Sequence, residues 1–174
     1  MKVLLVNKFL YPRGGDCIYT LNLGRLLRKA GHCVQFYAMA YPENLQDENE
    51  ACFAEEVSFS SISLSGKIKA ARRILWGTGV RSGFEKILDS FQPDIVHLNN
   101  IHSYLSPVVA RLAHQRGIKV VWTLHDYKLL CPSYNCLCRG EICEMCFTCK
   151  TNVLFRKCMK NNVQASVLAM TEAM

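Results

Sequence analysis

No apolar run in this sequence reaches the roughly 18–20 residues that a helix needs to cross a bilayer. The first strand-like run, residues 2–6, is too short for a signal peptide and leads straight into a glycine-containing loop, so the chain reads as cytoplasmic. Neither G-x-G-x-x-G nor the P-loop pattern G-x-x-x-x-G-K-S/T occurs, which removes support from dinucleotide-binding and NTPase readings. Internal repeats are lacking. So is any aromatic-basic nucleic-acid motif, and the basic residues are scattered, so no nucleic-acid partner is expected. A compositional bias toward disorder is missing too: half of the 174 residues are apolar and 20% are charged, the balance of one globular domain.

What is present begins with charge. Lys and Arg number 21 against 14 Asp and Glu, a formal net charge of +7. Such a surplus suits a phosphate-bearing substrate, an anionic membrane face or nucleic acid, with ordinary surface charge as the plain alternative. Of the 10 cysteines, most fall between Cys131 and Cys158. A secreted protein spreads its cysteines as a disulfide framework, whereas a dense cluster in a chain without a secretion signal reads as a metal site.

Hydrophobic periodicity supplies the fold class. Residues 2–6 form a short apolar run that reads as a buried parallel strand. A loop with Pro12, Gly14 and Gly15 follows, then a helix from about Asp16 whose apolar face is assigned to Tyr19, Leu23, Leu26, Leu27 and Ala30. Arg28, Lys29 and Gly31 mark its end, and a second strand covers 33–38. This strand–loop–helix–strand start implies a Rossmann-like, doubly wound parallel α/β sheet. Residues 41–66 read as a connection with one short strand near 57–59. Helices are expected over 67–76 and 82–90, a strand over 95–98, a helix around Leu105 to Leu112 closed by Gly117, and a strand over 119–124. Residues 131–158 form a Cys-rich insertion of little periodicity, and a helical pattern resumes from about Asn161 without a stop signal.

In an open parallel sheet, ligands bind beyond the carboxyl ends of the strands. Gly14-Gly15 lies there, before a helix N-terminus whose N–H groups and dipole favour an anion such as a diphosphate, although Gly-Gly is often only a turn. His97, Asn99, Asn100 and His102 come with a later strand, with a hydrogen-bonded core histidine as the plain reading of His97. His125 stands where a buried strand meets a polar loop. Asp126 suits a substrate hydroxyl or a turn cap, and Lys128 a phosphate or solvent.

Together these residues resemble family 4 glycosyltransferases. The similarity is carried by Val-Leu-Leu-Val-Asn-Lys-Phe, Arg-Gly-Gly-Asp and Leu-Arg-Lys-Ala-Gly-His near the start. It continues in Pro93-Asp94-Ile95-Val96-His97 with Asn99-Asn100, and in Thr123-Leu124-His125-Asp126-Tyr127. The resemblance covers essentially the whole chain. It implies the N-terminal, acceptor-side half of a GT-B fold spanning 1–174, with retaining transfer from a nucleotide-sugar and no catalytic metal. Gly14 and Gly15 would approach the donor diphosphate and His125 would act beside the reacting sugar. His97, Asn99, Asn100, Asp126, Tyr127 and Lys128 would face a sugar or lipid-linked glycan acceptor in cell envelope polysaccharide synthesis. The family's C-terminal donor half has no counterpart here, so the expectation for this polypeptide alone is poor or absent transfer.

Cys143-Glu144-Met145-Cys146 is a C-x2-C knuckle suited to two ligands of one tetrahedral ion. Cys131 and Cys158 flank it symmetrically, and a subset of the family is similar here, so structural zinc on Cys131, Cys143, Cys146 and Cys158 is expected. An iron–sulfur cluster on Cys143, Cys146 and Cys149, or free thiols, are the rivals, with Cys136 and Cys138 as spare ligands. Residues 67–76 interleave Lys67, Lys69, Arg72 and Arg73 with Ile68, Ile74, Leu75 and Trp76. That pattern suits peripheral contact with the inner face of a membrane, or a surface helix packed on the sheet. A zinc-bearing α/β binding module without transferase activity is the second class of function, and a reductase-like domain with a redox cluster the third.

Overall fold

The computed structural model describes residues 1–57 and 64–173, leaving aside the side chains of Leu64 and Lys67. The chain divides into two compact units, Met1–Thr123 and Leu124–Met174.

The first unit is built on a four-stranded, all-parallel sheet: β1 (Lys2–Val6), β2 (Cys33–Tyr37), β3 (Ile95–Leu98) and β4 (Lys119–Trp122), in the order β2-β1-β3-β4. Val3 to Val6 are all buried, as a central strand covered on both faces requires. Strand order reverses at β1, which pairs with β2 on one side and β3 on the other, so the topological switch point lies between the carboxyl ends of β1 and β3. The crossovers are α1 (Gly15–Lys29), α2 (Leu64–Trp76) with α3 (Arg81–Phe91), and α4 (Val108–Gln115). This is the Rossmann-like α/β class that the periodicity implies.

Several details differ from the expected pattern. β4 ends at Trp122 rather than 124 and none of its four residues is buried, so His125 does not directly follow a buried strand. α4 begins at Val108, past Leu105. Two further differences have a clear physical cause. The buried stripe of α1 is Cys17, Thr20 and Gly24, whereas Tyr19 and Leu26 are 41% and 57% exposed and Ala30 is exposed. Close approach decides this: a Cβ at Gly24 would stand 2.5 Å from the Phe36 ring, so the helix lies against the sheet through its smallest residue rather than its largest. The strand expected near 57–59 is replaced by a single parallel bridge between Met39 and Ala54; Val57 is not in a strand, and residues 58 and 59 lie outside the described residues. Helix ends follow the expected chemistry, with Gly31 and Gly117 at positive φ after α1 and α4.

The second unit holds a two-stranded hairpin, β5 (Leu137–Cys138) and β6 (Glu141–Ile142), and three helices, α5 (Met145–Thr148), α6 (Asn152–Arg156) and α7 (Val163–Glu172). Arg139 and Gly140 both take positive φ between the strands, as a two-residue hairpin turn demands. The Asn162 side chain caps α7 by accepting from the Ala165 N–H at 3.0 Å. Among the described residues no helix is long and apolar enough to cross a membrane.

Candidate functional site

At the switch point of the first unit, one buried side chain ties the loops after β1 and β3 to α1, and backbone hydrogen bonds bring in the loop after β2. Asn7 closes β1. Its amide nitrogen donates to the Phe9 carbonyl at 3.0 Å and to the Cys17 sulfur at 3.4 Å, and its Oδ1 accepts from the Asn100 N–H at 3.0 Å. Backbone bonds add Lys8 N–H to Asn100 O at 3.0 Å and Met39 N–H to Lys8 O at 3.1 Å. Sequence reasoning did not single out Asn7. The available signal was a polar residue placed directly at the end of an apolar run.

Gly14 is the extended residue that opens α1, and a Cβ at Gly15 would meet nothing within 4 Å. The backbone there is open to an approaching group, and the N–H groups of the first turn point toward it. Lys8 pairs with Asp16 at 3.4 Å across the mouth of the loop. Cys17 behind it has its thiol pushed up, by burial first and by the Asp16 charge second.

His97 lies in β3 and Asn99 directly follows it. His97 Nε2 lies 2.8 Å from Thr123 Oγ1. Asn99 is buried, donates to Val6 O at 3.4 Å and accepts Trp122 Nε1–H on its carbonyl at 3.0 Å. Asn100 remains half-buried at the edge.

His125, Asp126, Tyr127 and Lys128 belong to the second unit. His125 and Asp126 are half-buried and Tyr127 is 58% exposed. Asp126 Oδ1 accepts the Lys128 N–H at 2.9 Å, the turn-capping role. Lys128 is not directed at a phosphate: its side chain is 5% exposed, pairs with Glu172 at 3.2 Å and donates to the Pro132 carbonyl at 3.0 Å.

The four expected zinc ligands share one neighbourhood of this unit. Burial, then the charges of Cys131 and Cys143, push the Cys146 thiol up to about 11. Cys158 is pushed up to about 11 by burial and by its contact with Cys138, whose sulfur lies 3.9 Å away. Cys131 Sγ stands 3.1 Å from Ser133 Oγ. As placed, no group of three or more His, Cys, Asp or Glu side chains among the described residues could hold a metal ion.

On α2, Arg73 departs from the expected basic face. It is fully buried and donates to the carbonyls of Thr78, Tyr104 and Glu55 at 2.6, 2.9 and 2.9 Å. The outward surface carries Ile68, Leu75 and Trp76, 52%, 41% and 61% exposed, beside exposed Lys69 and Arg72.

A parallel sheet whose carboxyl-edge loops converge on an open glycine turn is shared by many enzymes, so comparison with known proteins decides the family. The model of Glycosyltransferase Family 4 matches residues 13–135. The chain belongs to this family. It is also 30% identical, over 149 residues, to an uncharacterized 42.6 kDa protein in the cps region of Klebsiella pneumoniae. That match covers 78% of this chain and 39% of the relative, so the chain spans well under half of that protein's length. The matched segment takes in the glycine turn, the loops after β2 and β3 and the His125-Asp126-Tyr127 run, whereas β1 and Asn7 precede it.

Proposed function

We propose that this family 4 glycosyltransferase chain is the acceptor-side half of a retaining, nucleotide-sugar-dependent hexosyltransferase that extends a cell envelope polysaccharide. The observation that carries the reading is the family match over residues 13–135, which begins at the open glycine turn beside the edge where β1, β2 and β3 end. The likeness to a protein of a capsule (cps) region supports a capsular product. In this account Gly14 and Gly15 give the donor diphosphate room at the α1 N-terminus, where fixed N–H groups stabilise leaving-group charge without reorganisation. His125 acts beside the reacting sugar. Asn100, Asp126 and Tyr127 contribute to the acceptor side, and His97 and Asn99 hold the edge in shape. Lipid-linked acceptors bring the enzyme to the inner face of the membrane through the exposed apolar-basic surface of α2. Zinc gathers Cys131, Cys143, Cys146 and Cys158 into a structural site when it binds.

The test combines this chain with a polypeptide bearing the family's donor-binding half, a labelled nucleotide-sugar and a lipid-linked saccharide. Label is expected to pass to the saccharide, and His125→Ala to slow this by about 10²-fold or more. The chain alone is expected to give no calorimetric heat with nucleotide-sugars. Tight nucleotide-sugar binding by the chain alone, or no transfer from any nucleotide-sugar in the complemented mixture, contradicts the reading.

A further inference from the structure

Four aromatic rings gather at the carboxyl edge of the first unit. Phe9 is buried at the centre, with ring centroids of Tyr11, Tyr41 and Tyr104 at 5.7, 4.9 and 5.3 Å. Tyr11 and Tyr41 stack on each other at 5.6 Å and only 14° from parallel. The three tyrosines come from the loops after β1, β2 and β3 respectively, and all three stay half-buried while Phe9 fills the interior. Tyr41 also lines a groove of about 520 Å³ together with Pro42, Gln46, Glu50 and Glu56.

This combination has a chemical meaning. An aromatic face carries negative charge density, and the C–H face of a pyranose is polarised the opposite way, so the two stack. Hydroxyls around the sugar need acceptors, and the groove supplies an amide and two carboxylates near the ring. Rings stacked in pairs cannot tilt away, so the platform is set before a ligand arrives. The acidic groove also discriminates: Glu50 and Glu56 repel a uronate or a phosphate and tolerate a neutral sugar. Glu43 beside Tyr41 pushes that phenol above its ordinary range, in the direction of its neutral, hydrogen-bonding form.

We infer that Tyr41, backed by Tyr11, is the stacking platform for a neutral pyranose ring of the acceptor, with Gln46, Glu50 and Glu56 taking its hydroxyls. The inference rests on the acceptor-side reading above and locates the acceptor's sugar on that side.

Saturation-transfer NMR on the whole chain tests it, with the methyl pyranosides of glucose, galactose, mannose and rhamnose, and methyl glucuronide as the anionic arm. At least one neutral pyranoside is expected to receive saturation on its C–H face. Affinity should fall about tenfold in Tyr41→Leu and in Tyr11→Leu, and be retained in Tyr41→Phe, which keeps the ring. Should Tyr41→Leu fail to fold, Tyr11→Leu and Tyr41→Phe still decide the matter. Equal binding by wild type and both leucine variants, preference for the glucuronide, or no binding of any pyranoside overturns the inference. The complemented transfer assay reports on the transferase reading separately: transfer without pyranoside stacking removes the platform alone, and stacking without transfer leaves a pyranoside platform but overturns the transferase reading and with it the assignment of that sugar to an acceptor.

Discussion

Lys128 and Glu172 are held 3.2 Å apart with side chains 5% and 1% exposed, and both lie in the second unit. A buried pair of this kind adds little against an apolar replacement, but removing one partner strands the other charge in a poorly solvated place. Glu172→Gln is therefore expected to destabilise the second unit by about 3–5 kcal/mol. The double change Lys128→Met with Glu172→Leu should restore most of that loss. Urea unfolding followed by circular dichroism measures both, and a loss in Glu172→Gln below about 1 kcal/mol would place the pair in solvent-like surroundings. Local context supplies no sign of this pairing, since 44 positions separate the two residues. That is why the sequence alone offers Lys128 to a phosphate. Arg73 was hidden for the same reason: its three carbonyl partners belong to residues 55, 78 and 104, and only the fold brings them to one guanidinium.

Among the elements, α2 and the cysteine segment yield the clearest expectations. The outward surface of α2 joins Ile68, Leu75 and Trp76 to Lys69 and Arg72. Binding to vesicles rich in anionic lipid is expected to weaken as salt rises, and Trp76→Ala to reduce it at constant salt. Co-sedimentation checks both, and salt-independent binding or none would leave α2 as an ordinary surface helix. For the cysteines, elemental analysis of the purified chain is expected to find one zinc, and its removal by a chelator to loosen the second unit. Iron with brown colour would assign a cluster in its place. The strands and most helix ends were legible because short apolar runs and terminal glycines act locally: β1, β3 and α4's closing Gly117 stand where the pattern places them. The inward face of α1 was not legible. Counting apolar residues favours Leu26 and Tyr19, whereas the packing distance to Phe36 selects Gly24. Small residues that permit approach leave no hydrophobic trace. The aromatic platform escaped for a related reason, because Tyr11, Tyr41 and Tyr104 are far apart in the chain and meet only at the edge.

For the whole molecule, the sequence pattern and the family match agree on a Rossmann-like chain of the family 4 glycosyltransferases, and the structure adds how the two edges of the first unit differ. The carboxyl edge has the open turn at Gly15, the Asn7 lacing and the stacked tyrosines; the amino edge has the tight helix exits at Gly31, Gln92 and Gly117. Everything proposed about the first unit's part in acceptor chemistry depends on the first of these being the binding edge. Amide chemical-shift mapping on the ¹⁵N-labelled chain during titration with a neutral methyl pyranoside addresses this directly. The account predicts that the shifted resonances cluster at Asn7 to Gly15, Ala38 to Gln46 and Asn99 to Leu105. Shifts centred instead on Gly31, Gln92 and Gly117 would contradict it.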